Sequence, residues 1–399
     1  MSLRAALAAP LLLAAFVAQA QVPVGQPAGT LPYREGEPFA PNANLAAPIA
    51  YLIDLGSGRV LFERESRRRF LPASLTKIMT AYVAFELMQA GRLQPNQRFA
   101  MSDPAFKQWH QVGSTMFLGR GQVVSVDTLL LGIMTVSAND GCIVLAEGAS
   151  GSVGAFVTLM NAEAKRLGMA DSHFGSPNGW PDQGATYTSA RDLAILTQAM
   201  LTRHPAYYRR YVGHPGMIFN GIHQDNHVPL FGRVAGADGV KTGFTNEAGY
   251  GLVGSAMRHG RRLVMVVGGY DRAWQRARES RALLEWGFSG WQTQRLFDAG
   301  TTVTEARVQG GAARDIPLIA PLAYYVTYPA GSTAPPVKLT VRYEGPLRAP
   351  LAKGAEVATL RVSTPGEAPR DLPLLAGAST AVAGPLARLR DGLLGLAGL

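Results

Sequence analysis

Residues 72–85 read PASLTKIMTAYVAF, and no other stretch limits the fold as much. Ile78, Met79, Ala81, Tyr82, Val83 and Phe85 crowd the faces of the helix that this pattern predicts. Such a helix is bound for a core. Lys77 nevertheless stands in the middle of it, three residues after Ser74. An ammonium among apolar neighbours needs a reason.

The chain can supply that core. At 399 residues it has room for two or three domains, and 47% hydrophobic with 17% charged residues is an ordinary globular balance. Residues 1–20, MSLRAALAAPLLLAAFVAQA, read as a secretory signal: Arg4 precedes an apolar run, and Ala18 and Ala20 form an A-x-A cleavage site. Cys142 is the single cysteine, so an exported chain has no internal disulfide and rests on packing. The net charge of +10 suits an anionic polymer or an anionic membrane surface. Export argues against nucleic acid as a partner, and the basic residues are scattered apart from Arg67, Arg68 and Arg69.

Residues 21–45 are rich in Pro, Gly and Ala and read as a linker. From Pro48, PIAYLIDLGSGRVLFERE predicts a hairpin turning at Gly56-Ser57-Gly58. Helical patterns follow at Ser74–Gln89, Val126–Glu147, Val153–Leu167 and Ala190–Leu201. A β-rich block spans Val240–Gly269, and Glu279–Phe288 reads as a closing helix. Strands at both ends with helices between predict an α+β domain over 46–290, an antiparallel sheet covered by helices. Residues 291–382 carry short β-like runs (TVTEARV, KLTVRYE, EVATLRVS) and predict a small all-β domain. In 383–399, Leu386, Leu389, Leu393 and Leu396 form the stripe of a C-terminal amphipathic helix on a membrane surface, although three glycines weaken it.

Three polar clusters carry chemistry. Ser74 and Lys77, at i and i+3, share a helix face. Burial lowers a lysine's pKa, and a neutral amine beside a hydroxyl is a base beside a nucleophile. In MTVSANDGC, Ser137 and Asn139 sit at a break after an apolar run, where a hydroxyl could relay a proton and an amide could bind a peptide carbonyl. In ADGVKTGFTNEAGYGLVGSA, Lys241 and Thr242 could bind a carboxylate, while Gly243 would let an extended peptide approach the strand. Ser176-Pro177-Asn178 repeats the Ser-x-Asn spacing in an evident loop and is set aside.

Ser-x-x-Lys, Ser-x-Asn and Lys-Thr-Gly in this order resemble the serine-type D-alanyl-D-alanine carboxypeptidases among the low-molecular-mass penicillin-binding proteins, whose fold is shared with class A β-lactamases. The resemblance covers about residues 46–290. It implies that Ser74 attacks the carbonyl between the terminal D-alanines of a peptidoglycan stem peptide. Lys77 accepts the Ser74 proton and Ser137 helps carry it to the leaving D-alanine. It further implies that Asn139 holds the acyl side, Lys241 and Thr242 bind the terminal carboxylate, and the backbone N–H groups of Ser74 and Phe244 form the oxyanion hole. An arginine near the helix after the sheet completes the carboxylate site; Arg276, just ahead of that helix, is the choice over Arg272 and Arg278, with Arg278 and Arg281 read as solvated. β-Lactams would be trapped at Ser74. No metal or cofactor is implied, and the expected place is the periplasm, on the outer face of the inner membrane.

Two positions depart from the family pattern: Ala138 replaces the Asp of the second motif, and Phe244 replaces a frequent His. Other readings are weaker. A β-lactamase needs a deacylating Glu, and SPNGWPDQGATYTSARD offers Asp182 and no Glu. A D,D-endopeptidase shares the fold. A non-catalytic wall-binding protein would have no use for a buried lysine beside a serine. His223 and His227 have metal-like spacing without the Glu of H-E-x-x-H.

Overall fold

The computed structural model describes residues 27, 30, 31 and 33–385. The expected signal at 1–20 and most of the expected helix at 383–399 lie outside the described residues. The first hairpin pairs β1 (Ile49–Asp54) with β2 (Arg59–Arg64) across the predicted turn. Three later strands, β3 (Ala237–Thr245), β4 (Gly249–Arg258) and β5 (Arg261–Tyr270), complete an antiparallel sheet of order β2-β1-β5-β4-β3. The two ends of the domain therefore meet in one sheet, at β1 beside β5.

Alternation along the central strand divides the core in two. Val264 and Val266 of β5 point into a cluster with Ile78, Tyr82 and Phe85. Leu263, Met265 and Val267 point the other way, onto Leu283 and Leu284. Helices cover both faces, so the strand reads as an apolar run rather than as alternation. Helix α1 (Lys77–Gln89) buries every residue from Lys77 to Met88 except Glu86. It is packed by α2 (Val126–Thr135), α3 (Asn139–Ser150), α4 (Val153–Arg166) and α5 (Ala190–Arg203). Helix α6 (Ala273–Ser289) covers the opposite face.

Three expectations change. The pattern at Val126–Glu147 is two helices, broken at Val136–Ala138. The closing helix starts at Ala273, not Glu279, which puts Arg276 inside its first turn. Arg278 is not simply solvated: its guanidinium lies 4.7 Å from the Trp274 ring and 5.6 Å from that of Tyr33. That contact also shows the end of the predicted linker docked on the domain, with Tyr33 and Leu45 buried.

Beyond Trp291 the described residues to 382 contain strands and no helix. Six of these strands form one sheet around Ile316, Leu318, Leu360, Leu372 and Leu374, and Trp291–Phe297 pairs with Tyr324–Pro329. This domain docks on the β1–β2 turn. The Thr327 hydroxyl donates to Asp54 at 2.9 Å, Tyr325 N–H to Gly56 O at 2.8 Å, and Arg59 pairs with Glu367 at 2.6 Å. Among the described residues, no single helix is long and apolar enough to cross a membrane.

Candidate active site

The site starts where α1 starts. Ala73–Thr76 is a 3₁₀ turn that runs directly into α1 at Lys77. With three residues per turn, side chains at i and i+3 eclipse. Ser74 Oγ accordingly stands 2.8 Å from Lys77 Nζ. The serine is half-buried, whereas Lys77 is wholly buried. Ala73, just before the nucleophile, is held at φ 49°, a left-handed conformation that costs a non-glycine residue energy.

Two further acceptors hold the amine. Lys77 Nζ donates to Asn139 Oδ1 at 2.8 Å and to the Asn178 carbonyl at 2.6 Å. Both oxygens can only accept, while a hydroxyl can accept or donate. A neutral amine has two N–H bonds and one lone pair. Its two N–H groups go to Asn139 and Asn178, which directs the lone pair at the Ser74 O–H. Burial lowers the Lys77 pKa to about 8, partly opposed by Cys142 and by Asp140. The geometry and the shift agree on a base.

The helix break supplies the second edge. Ser137 lies in it at φ 64°, buried, two residues before Asn139 opens α3. Asp140 fixes this corner, accepting from the backbone N–H groups of Met116 and Leu118, each at 3.0 Å. The Asn139 amide is engaged at both ends, since its Nδ2 donates to Val112 O at 3.0 Å. In this state Asn139 positions Lys77. Its Nδ2 carries a second N–H, which leaves one donor for a substrate carbonyl.

Strand β3 is the third edge, and it is an unpaired edge of the sheet. Gly243 faces the nucleophile turn: a Cβ there would lie 2.6 Å from Pro72 O and 3.0 Å from Leu75 Cγ. The glycine makes room for the 3₁₀ turn. Lys241 and Thr242 are buried beside it. Burial, then the charge of Lys77, then that of Arg276 push the Lys241 pKa well below normal. Phe244 is 45% exposed and stacks on Tyr250 with ring centres 4.1 Å apart. Arg276 sits 5.5 Å from the same Tyr250 ring, and its Nε is buried with no partner among the described residues. Burial lowers the Arg276 pKa to about 10. Lys241 and Arg276 form no ion pair with a described residue.

The structure thus gathers Ser74, Lys77, Ser137 and Asn139 with Lys241, Thr242 and Gly243, and it sets Phe244 of β3 and Arg276 of α6 against the Tyr250 ring. Two contributors escaped the sequence. The Asn178 loop, set aside as a chance repeat, provides a carbonyl to Lys77 and a second to the Thr80 hydroxyl through Pro177 at 2.5 Å. A Cβ on Gly179, at φ 72°, would overlap the Ala73 carbonyl, so the loop is pressed against the nucleophile turn. His227 lies within electrostatic reach of Lys241 and Arg276, whose charges add to burial in lowering its pKa.

Comparison with known proteins places this arrangement. Residues 36–271 match the D-alanyl-D-alanine carboxypeptidase family, and residues 291–381 match the C-terminal domain of penicillin-binding protein 5. The D-alanyl-D-alanine carboxypeptidase DacA of Escherichia coli is 36% identical over 81% of this chain and 81% of its own length. Penicillin-binding protein 5 of Haemophilus influenzae superposes with a TM-score of 0.67 at 33% identity, covering 85% of this chain and 98% of that one. A Listeria monocytogenes penicillin-binding protein solved in its ampicillin-bound form superposes at 0.55 and 29% identity, over 63% of this chain and 100% of that one. Sequence match, fold and the paired serine and lysine converge, and the chain belongs to the D-alanyl-D-alanine carboxypeptidase family.

Proposed function

We propose that this protein removes the terminal D-alanine from peptidoglycan stem pentapeptides through an acyl-enzyme on Ser74. The observation that carries this is the 2.8 Å contact between Ser74 Oγ and a buried Lys77 Nζ whose other two partners are pure acceptors. In acylation, the Ser74 oxygen bonds to the carbonyl carbon while its proton passes to Lys77. Collapse breaks the C–N bond, and the departing D-alanine amine takes a proton from Lys77 by way of Ser137. Water then attacks the ester with Lys77 again as base, releasing the shortened peptide and restoring Ser74.

The remaining residues bind. The substrate lies along the β3 edge as an added strand. Its terminal carboxylate meets Lys241, Thr242 and Arg276, and Asn139 holds the acyl side. The N–H groups of Ser74 and Phe244 face the oxyanion, where one such donor is typically worth about 3 kcal/mol. A backbone donor survives the exchange of His for Phe at 244. β-Lactams acylate Ser74 by the same attack. The division at residue 290 separates this hydrolase from a β domain that carries no part of the site. Residues 1–20 direct export to the periplasm, and 383–399 hold the enzyme on the outer face of the inner membrane; deleting 383–399 should move it from the membrane to the soluble fraction.

The test is D-alanine release from an acylated L-Lys-D-Ala-D-Ala peptide by wild type and Ser74→Ala. Wild type should release D-alanine and the variant none, with its melting temperature kept. Equal release by both would overturn the proposal.

A further inference from the structure

Beside Asn139 the cleft is walled by an indole. Trp180 is 42% exposed and belongs to the loop whose Asn178 carbonyl accepts from Lys77. A half-exposed aromatic ring is ordinary by itself. Its position is not. A Cβ built on Gly113, at φ 64°, would lie 2.8 Å from the Trp180 ring and 2.8 Å from Asn139 Nδ2. The indole and the amide therefore flank one point, and the missing side chain of Gly113 lets them close on it.

The ring is held in place from two sides. It meets the buried ring of Trp109 edge-on, with centres 5.7 Å apart and planes at 86°. Its own N–H donates to Asn178 Oδ1 at 3.0 Å, in the loop that Gly179 presses against Ala73. The facing segment is tied down as well, because Asn139 N–H donates to Ser114 O at 2.8 Å and Asn139 Nδ2 to Val112 O at 3.0 Å. A ring already ordered loses little entropy when a ligand covers it. Its exposed face has no acceptor to offer, so it selects for carbon rather than for charge.

We infer that Trp180 determines specificity on the acyl side: its indole packs against the side chain of the residue that precedes the two D-alanines. This rests on the proposed carboxypeptidase reading, in which Asn139 holds the acyl part of the substrate. The D-alanine methyl offers a single carbon to such a face, whereas the lysine before it offers a four-carbon stem. Carbon laid on the indole leaves water, and a long chain gains more than a short one. The contact exists in the bound substrate and in the transition state alike, so it acts on KM rather than on kcat.

Two acetylated peptides test this, L-norleucyl-D-Ala-D-Ala and L-Ala-D-Ala-D-Ala, compared by kcat/KM for D-alanine release. Norleucine carries the carbon chain of lysine without its charge. Wild type should favour the norleucine peptide about tenfold, which is about 1.4 kcal/mol and the gain from covering about two methylenes. In Trp180→Ala the preference should fall to about twofold or less, through a higher KM for the norleucine peptide, as the covering face is lost. Trp180→Phe should keep most of the preference. The ratio cancels any damage to the base, since both peptides are cleaved with Lys77. Penicillins read the same wall without peptide hydrolysis. Acylation by benzylpenicillin should slow about fivefold in Trp180→Ala relative to acylation by aminopenicillanic acid, the nucleus without an acyl side chain, in line with the loss of one aromatic contact. No preference in wild type, or an unchanged ratio in Trp180→Ala with either pair, would overturn the inference. A wild type that releases no D-alanine from either peptide counts against the carboxypeptidase reading instead, and the penicillin pair then decides whether Trp180 reads the acyl side.

Discussion

If Lys77 is the base, acylation follows its neutral form. Burial takes its pKa from 10.5 to about 8. That shift is worth about 3 kcal/mol, and with a pKa near 8 about 9% of the amine is neutral at pH 7 and about 91% at pH 9. The rate constant for acylation by a fluorescent penicillin should rise about tenfold between pH 7 and 9 and then level off. A solvated lysine at 10.5 would instead give about a hundredfold climb over the same interval with no plateau. Lys77→Arg should abolish acylation, because a guanidinium keeps its proton. A rate flat from pH 6 to 10, or one still climbing at the top of that range, would refute the reasoning. The same shift bears on stability. Between about 8 and 10.5 the unfolded chain binds the proton that the folded chain has lost, so stability rises with pH across that window. Below it the folded protein carries the full penalty of this buried amine.

Other consequences follow from the same contacts. Gly243→Ala puts a Cβ 2.6 Å from Pro72 O, so the nucleophile turn has to shift; we expect a loss of about 1–3 kcal/mol in chemical denaturation and a much slower acylation by penicillin. Asp54→Ala leaves Arg261 buried without its carboxylate and cuts the bond to Thr327. It should cost about 3–5 kcal/mol and lower the calorimetric melting temperature by roughly 10 °C. Arg276→Gln removes the cation beside Tyr250 from the proposed carboxylate site. Steady-state kinetics should show a higher KM for peptides ending in a free carboxylate, and little change for amidated ones.

The sequence carried the parts of this account that depend on side-chain type. The apolar wrapping of Ile78, Tyr82 and Phe85 marked α1 as the central helix, and the hairpin at Gly56-Ser57-Gly58 formed as its turn residues predict. Both ends of the segment met in one sheet because β1 and β5 each have two apolar faces to bury. Backbone roles were illegible. Nothing in Ser176-Pro177-Asn178 marks a carbonyl destined for Lys77, since any residue has one. At Gly243 close approach was legible, but not that Pro72 and Leu75 are among the residues that approach it. The early start of α6 escaped because Arg272, Trp274, Arg276 and Arg278 hide its apolar period, and their aromatic contacts exist only in the folded chain.

The most direct measurement is to locate the covalent adduct. Tryptic digestion after exposure to penicillin releases residues 70–77, FLPASLTK, in which Ser74 is the single serine. Fragment masses should place one penicilloyl group on Ser74, and Ser74→Ala should take up none. An adduct on another residue, or undiminished labelling of the variant, would contradict the account.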